Sequence, residues 1–165
     1  MERRAFRMAQ LATGDIDDAL DIVQEAMFKL AEKYASRPES EWPALFQRIL
    51  QSKINDWFRR NKVRNRFRTW LGIKDDGSDP IQEHADEEKG RTPEQFLQSD
   101  RSMQKLERMI QMLPLRQQQA FLLRVLEGLD VKSTARAMAC SEGSVKTHYS
   151  RAVHTLREKL GDEWP

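Results

Sequence analysis

The sequence contains only one cysteine, three histidines, seven glycines and six prolines among its 165 residues. A single cysteine excludes an internal disulfide, and the position of Cys140 among apolar residues favours core packing over redox or metal chemistry. No apolar run reaches the length of a signal-peptide core or of a membrane span. We therefore expect a cytoplasmic protein without membrane insertion.

Motifs of catalytic sites are also missing. The sequence has no phosphate-binding glycine loop, no nucleophile motif and no histidine or cysteine cluster with the spacing of metal ligands. His84, His148 and His154 stand apart from one another. Carboxylates are abundant, but they fall on predicted outer helix faces or in a linker, where no pocket is expected. These absences argue against an enzyme, and we expect neither a cofactor nor a metal.

The composition is that of a helical protein. Charged residues make up 33% and hydrophobic residues 39% of the chain, and helix-breaking residues are scarce. The net charge is only +2, but the charges are segregated, with a basic run in the middle followed by an acidic stretch. We predict an all-α protein with two small helical domains, residues 1–68 and 94–165, joined by an acidic flexible linker over residues 69–93.

The last third of the chain contains the pattern GLDVKSTARAMACSEGSVKTHYSRAVHTLREKL, which predicts two helices joined by a tight turn. Ser141 can cap the second helix, and Gly143 can ease the turn. A buried stripe is predicted at Val145, Tyr149, Ala152, Leu156 and Leu160. The opposite face carries Lys146, Thr147, Ser150, Arg151, His154 and Arg157. This face is typical of a helix that reads the DNA major groove, although a solvated surface helix has a similar composition.

The helix predicted to run from about residue 15 to residue 34 has an aromatic ring among acids on its outer face. Its buried stripe is predicted at Ile16, Ala19, Leu20, Val23, Ala26, Met27 and Leu30. The reverse face groups Asp18, Asp21, Gln24, Glu25, Phe28 and Glu32. Such a face is either merely solvated or a surface on which Phe28 anchors a basic protein partner.

A third helix, predicted over residues 42–61, is followed by basic residues interleaved with aromatic ones. Arg48, Ser52, Asn55, Arg59 and Lys62 project from one side, and the run continues through Arg64, Arg66 and Arg68. Aromatic and cationic side chains together suit stacking on bases and contact with phosphates. Trp57 is more readily explained as part of the core, and Phe58 fits either interpretation.

These segments resemble bacterial sigma factors of the extracytoplasmic-function type. CSEGSVKTHYSRAVHTL is similar to the family's ISEGTVKSRLHRARERL in region four, and LPLRQQQAFLLRVLEGL to LPPRQREVFLLRYLEGL. DIDDALDIVQEAMFKLAEKY and WPALFQRILQSKINDWFRR resemble segments of region two. The resemblance extends from about Ala5 to Leu160. It departs from the family at Thr134, where a large apolar residue is usual, and at the start, where the family normally has another helix before the segment that opens this sequence.

The resemblance implies a promoter-specific subunit of RNA polymerase. The residues that it implies for binding core polymerase are Asp21, Gln24, Glu25 and Phe28. Those for the minus-ten element are Arg48, Ser52, Asn55, Arg59, Arg60 and Lys62. Those for the minus-thirty-five element are Ser144, Lys146, Thr147, Ser150, Arg151 and His154.

Further partners follow from the same resemblance. An anti-sigma factor is expected to bind, and the linker acids are expected to enter the polymerase channel; these acids are Asp75, Asp76, Asp79, Asp86, Glu87 and Glu88. The alternative is a helix-turn-helix regulator that binds duplex DNA without joining the polymerase. That alternative explains the last helix equally well, but it leaves the acidic face around Phe28 and the basic aromatic run without a role.

Overall fold

The computed structural model describes residues 2–70 and 93–161, with side chains for residues 3–63 and 102–161. The six linker acids lie outside the described residues, as does nearly all of the predicted linker. The helices are α1 (Glu2–Thr13), α2 (Ile16–Tyr34), α3 (Trp42–Trp70), α4 (Pro93–Gln111), α5 (Leu115–Val125), α6 (Val131–Met138) and α7 (Glu142–Leu160). A 3-10 turn, Glu39–Glu41, leads into α3. The described ranges contain no strand, so the predicted all-α class is confirmed there.

Helices α1, α2 and α3 pack together in the first half of the chain. Gly14, at φ 73°, ends α1 and donates its N–H to the Gln10 carbonyl at 2.8 Å. Asp15 then caps α2 by accepting the N–H of Asp18 at 2.9 Å. The core between these helices includes Met8, Val23 and other small or apolar side chains.

Two expectations for the first half are wrong. Leu20 and Met27 do not belong to the buried stripe of α2, because they are 45% and 46% exposed. Helix α3 does not end near residue 61 but continues to Trp70. Residues 44–70 include no glycine or proline, so no residue type in this stretch interrupts the backbone hydrogen bonds of the helix.

Helices α5 and α7 form the centre of the second half, with α4 and α6 packed beside them. The rings of Phe121 and Tyr149 stack with centroids 6.3 Å apart, and Leu156 is fully buried. Val125 is 57% exposed at the end of α5. The α5 core is built mainly from Ala120, Leu122 and Leu123.

The two halves of the described chain are in direct contact. Helix α1 packs on α4 and α5, and α3 packs on α6. Apolar residues of both halves, such as Leu11 and Ile110, are buried to 6% and 5% exposure. Among the residues with described structure, no helix is both long and apolar enough to cross a membrane.

Candidate nucleic-acid and protein interfaces

The turn between α6 and α7 is short and held by local hydrogen bonds. Ala139 adopts a left-handed conformation, φ 53° and ψ 48°, at the end of α6. The N–H of Cys140 donates to the Ala135 carbonyl at 3.1 Å, and Ser141 then caps α7 by accepting the N–H of Ser144 at 3.1 Å. The predicted cap is confirmed, but the positive φ falls on Ala139, whereas Gly143 lies in the first turn of α7.

Thr134 fits the core of this motif despite its hydroxyl. The side chain is fully buried, and its Oγ1 donates to the Asp130 carbonyl at 2.7 Å. Because the hydroxyl is paired with a carbonyl at the start of its own helix, its burial leaves no unpaired donor. Ala135, Met138 and Val145 are buried in the same core, at 7%, 2% and 0% exposure. The departure from the resembled family at Thr134 therefore leaves the packing of α6 intact.

Helix α7 presents a polar and cationic outer face. Five of its six predicted DNA contacts are exposed, and the sixth, Ser144, is partly exposed; the exposed ones are Lys146, Thr147, Ser150, Arg151 and His154. Thr147 Oγ1 donates to the Gly143 carbonyl at 3.0 Å. His154 Nε2 lies 3.4 Å from Glu158 Oε1 on the next turn. The predicted stripe faces inward, with Tyr149 half-buried. The structure therefore brings the predicted contacts onto one accessible helix face of groove-compatible width.

The predicted contacts on α3 fall into two groups. Ser52, Arg59, Arg60 and Lys62 are exposed, and Arg59 forms an i,i+3 ion pair with Asp56 at 2.7 Å. Arg48, which is also exposed, and Asn55, which is partly buried, each form a hydrogen bond with the second half of the chain. Arg48 donates to the Arg136 carbonyl at 2.9 Å, and Asn55 accepts from Gln119 at 3.1 Å.

Two aromatic residues near this surface pack against the core and are not fully exposed to solvent. Trp57 and Phe58 are partly buried against the core, and their rings meet edge to face with centroids 5.1 Å apart. Core packing of Trp57 is therefore confirmed, and Phe58 shares it. The side chains of Phe67 and Trp70 lie outside those that the structure describes.

The outer face of α2 is apolar at its centre. Phe28 is 75% exposed, and the exposed Leu20 and Met27 lie on the same side because positions i, i+7 and i+8 share a helix face. Asp21 and Gln24 are exposed beside them. Sequence reasoning missed Leu20 and Met27 by assigning them to the core, although their spacing to Phe28 was the available signal.

Glu25 differs from the other acids of α2 because it is tied to α3. Its carboxylate lies 2.7 Å from the Lys53 ammonium, and this hydrogen bond lowers the pKa of Glu25 despite some desolvation. Glu25 is still exposed. The pair fixes α3 relative to α2, so one member of the predicted docking face also has a structural partner.

No group of three histidine, cysteine, aspartate or glutamate side chains among the described residues could hold a metal ion. An open depression of about 630 Å³ lies between α3 and the α6–α7 turn, and Arg48, Lys132 and Arg136 contribute its positive charge. Cationic side chains of α3 and α6 therefore meet at this depression, and the acidic Glu142 lines it at the start of α7.

Comparison with known proteins gives the same assignment for the second half. Residues 103–156 match the family model of sigma-70 region 4. The chain is 40% identical over 73 residues to the ECF RNA polymerase sigma factor BldN of Streptomyces coelicolor, covering 44% of this chain and 28% of that protein. It is 29% identical over 68 residues to the ECF RNA polymerase sigma factor SigD of Mycobacterium tuberculosis, covering 41% of this chain and 32% of the relative. The matched stretch thus spans less than a third of either relative.

A solved structure extends the likeness to the whole fold. The sigma factor RpoE, in a co-crystal structure with the anti-sigma factor NepR from Bartonella quintana, superposes with a TM-score of 0.68. The superposition covers 94% of this chain and 89% of that chain at 23% sequence identity. At this identity the likeness establishes a shared fold.

Proposed function

We propose that this chain, which belongs to the extracytoplasmic-function subgroup of the sigma-70 family, binds core RNA polymerase and directs promoter-specific transcription initiation. The observation that carries the proposal is the exposed polar face of α7, held by a capped turn within the matched region 4. A second surface, on α2, has the exposed apolar centre and acidic margin of a protein-docking site.

In the proposed mechanism α7 reads the minus-thirty-five duplex. Arg151 and Lys146 supply long cationic side chains that reach phosphates or guanine edges, whereas Thr147 and Ser150 contact bases or the backbone at shorter range. Ser144 and His154 extend the contact at either end of the helix. The short turn at Ala139 sets the angle at which α6 braces α7, and so the depth at which α7 enters the groove.

The minus-ten element is captured on α3. Its proposed contacts are Arg48, Ser52, Asn55, Arg59, Arg60 and Lys62. An opened strand loses its paired and stacked neighbours, so the site must supply both phosphate contacts and new polar partners for the bases. The cationic members neutralise phosphates, and Ser52 and Asn55 offer the neutral hydrogen-bonding groups that bases require.

Core polymerase binds the outer face of α2. Phe28, flanked by Leu20 and Met27, supplies the apolar anchor, and Asp21, Gln24 and Glu25 steer a basic partner into register. Catalysis belongs to the polymerase, since a sigma factor contributes binding and strand capture rather than a reacting group. The proposed setting is the cytoplasm, with an anti-sigma factor as a further partner.

We assign core and minus-ten binding to residues 1–68 and minus-thirty-five binding to residues 94–165, with residues 69–93 as the linker. Simultaneous contact with core polymerase and with both promoter elements requires both halves of the chain to bind at the same promoter. That requirement makes initiation, rather than DNA binding alone, the property to measure.

The test is reconstitution with sigma-free core polymerase on a library of genomic fragments, followed by sequencing of the RNA five-prime ends. The expected result is a set of start sites that share two upstream motifs at fixed spacing. If initiation is absent, duplex binding is retained and the chain does not co-migrate with core polymerase, the chain is a DNA-binding regulator instead. A Lys33→Ala variant, changed at an exposed site away from the proposed faces, serves as the control.

A further inference from the structure

The turn that joins α6 to α7 uses a backbone conformation that alanine disfavours. The N–H of Cys140 donates to the Ala135 carbonyl at 3.1 Å. The N–H of Ala139 donates to the Arg136 carbonyl at 3.3 Å. This is the Schellman arrangement of a helix end, in which glycine usually occupies the left-handed position. Ala139 occupies that position here, at φ 53° and ψ 48°, where its Cβ lies close to the following carbonyl oxygen. The turn is therefore strained, and surrounding contacts must hold it.

Arg116 of α5 supplies such a contact. Its Nη1 donates to the Met138 carbonyl at 2.9 Å, and Met138 is the last residue of α6, directly before Ala139. The same nitrogen lies 3.4 Å from Gln119 Oε1, one turn further along α5. The dipole of α6 also favours a cation at its carbonyl end. The Arg116 guanidinium therefore fixes the end of α6 relative to α5.

The start of α6 is held by a separate set of contacts. Asp130 caps the helix by accepting a backbone N–H at 2.6 Å. Arg124, at the other end of α5, donates to the Leu129 carbonyl just before this cap. Its guanidinium carbon also lies 5.8 Å from the centroid of the Tyr149 ring of α7. Removal of the Arg116 guanidinium thus releases one end of α6 while the other end stays attached.

The end that Arg116 holds is the one that leads into α7. Only residues 139–141 lie between the last residue of α6 and the first residue of α7. A displacement of the end of α6 therefore moves the first turns of α7, which carry the proposed contacts Ser144, Lys146 and Thr147. Hydrogen bonds to base edges are short and directional, so a shift of about 1 Å breaks them. Long cationic side chains can follow a phosphate over the same distance, so contacts that carry no sequence information survive.

We propose that Arg116 is a positioning residue for promoter recognition: through the Met138 carbonyl it holds the strained turn at Ala139 and so sets the angle at which α7 meets the base edges. The inference rests on the proposed function, because it takes α7 as the helix that binds the minus-thirty-five duplex. Arg116 contacts no base in this role. Its loss is therefore expected to reduce discrimination between sequences and to leave the general attraction to phosphates unchanged.

The test measures discrimination by the full chain. A motif is first selected from random duplexes with the unsubstituted chain, and a second duplex carries the same bases in scrambled order. Fluorescence anisotropy over a series of salt concentrations gives the dissociation constant for each duplex, and the ratio of the two constants is the discrimination. Thermal unfolding of each variant reports its stability.

Arg116→Met keeps the aliphatic stem and removes the hydrogen-bond donors, and Arg116 is exposed, so the fold is expected to persist. The discrimination is expected to fall about tenfold, roughly the loss of one base contact. The slope of log affinity against log salt concentration on the scrambled duplex is expected to stay unchanged. Arg116→Lys retains a cationic donor and is expected to recover most of the discrimination. Arg108→Met, the same change at an exposed position of α4, is expected to match the unsubstituted chain.

Hydrogen exchange of the free chain supplies a measurement without DNA. The Cys140 N–H, which is bonded within the turn, is expected to exchange several-fold faster in Arg116→Met. The Ser133 N–H, which is bonded at the start of α6, is expected to exchange at the same rate as in the unsubstituted chain.

Two results overturn the inference. One is discrimination within twofold of the unsubstituted chain in Arg116→Met; a smaller salt slope would then make Arg116 a phosphate contact, and a lower melting temperature alone would make it a purely structural residue. The other is unchanged exchange of the Cys140 N–H. If the unsubstituted chain selects no motif, the role proposed for α7 fails together with the inference. If it selects a motif and initiates with core polymerase while Arg116→Met keeps its discrimination, only the inference is refuted.

Discussion

Phe28→Ala is expected to weaken binding to core polymerase without loss of the fold. The Phe28 ring is 75% exposed, so its removal takes little from the core of the free protein, and we expect a stability change within about 0.5 kcal/mol. If docking buries the exposed part of the ring, roughly 150 Å² at about 25 cal/mol per Å² gives an upper limit of about 4 kcal/mol.

The free-energy cost of docking lowers the contribution of the Phe28 ring below this upper limit. Side-chain ordering and incomplete burial reduce the net contribution, and about 2 kcal/mol is the usual threshold for an interface anchor. We therefore expect the dissociation constant for core polymerase to rise about 30-fold. The assay is fluorescence anisotropy of labelled chain titrated with sigma-free core, together with thermal unfolding of each variant by circular dichroism.

A matched phenylalanine supplies the contrast. Phe46 is 2% exposed in the core, so Phe46→Ala is expected to cost about 3–5 kcal/mol of stability. Lys33→Ala, on the same helix as Phe28, is expected to change neither property. The reasoning is refuted if Phe28→Ala folds normally and binds core polymerase within twofold of the unsubstituted chain.

Three further predictions concern the helix-turn-helix. Ser141→Ala removes the cap of α7 and is expected to lower the free energy of unfolding, measured in urea, by about 1 kcal/mol. Ser141→Asp is expected to keep most of that stability, and an equal loss in both variants would count against the cap. Arg151→Ala is expected to weaken binding to a minus-thirty-five duplex and to reduce the slope of log affinity against log salt concentration by about one. An unchanged slope would show that Arg151 does not contact a phosphate. The hydrogen bond from the Ser133 N–H lowers the pKa of the Asp130 carboxyl group below its ordinary value of 3.8. The ionised carboxylate therefore stabilises the folded chain at pH values above 3.8, and this stabilisation is lost as the pH falls through the lower pKa of the folded state. Asp130→Asn should therefore flatten the acid limb of a melting-temperature profile, and an unchanged limb would contradict this.

Local signals in the sequence were sufficient for most helix boundaries. Asp15 and Ser141 each bond to a backbone N–H three residues on, so the start of a helix is encoded within four residues. The inner face of α7 was equally predictable, because its apolar residues recur at helical spacing from Val145 to Leu160. Both features depend only on residues that are close together in the sequence. Capping motifs and apolar spacing therefore reveal them.

Features that depend on distant residues were not predictable in the same way. Helical spacing placed Leu20 and Met27 in the core, but the position of neighbouring helices decides which apolar residues remain exposed. The bond from Gln119 to Asn55 joins positions 64 residues apart. In the sequence, three consecutive glutamines in α5 have the composition of a solvated face, and nothing local indicates that two of them are buried.

We propose that one chain contacts two separate promoter elements, one through α3 and the other through α7. Photo-crosslinking in the assembled initiation complex tests it most directly, with a photoreactive side chain introduced at Ser52 in one protein and at Ser150 in another; both positions are exposed. We expect the Ser52 probe to attach to the minus-ten strand and the Ser150 probe to attach to the minus-thirty-five duplex of the same promoter. Attachment at the duplex alone, with no minus-ten product from the Ser52 probe, would contradict it.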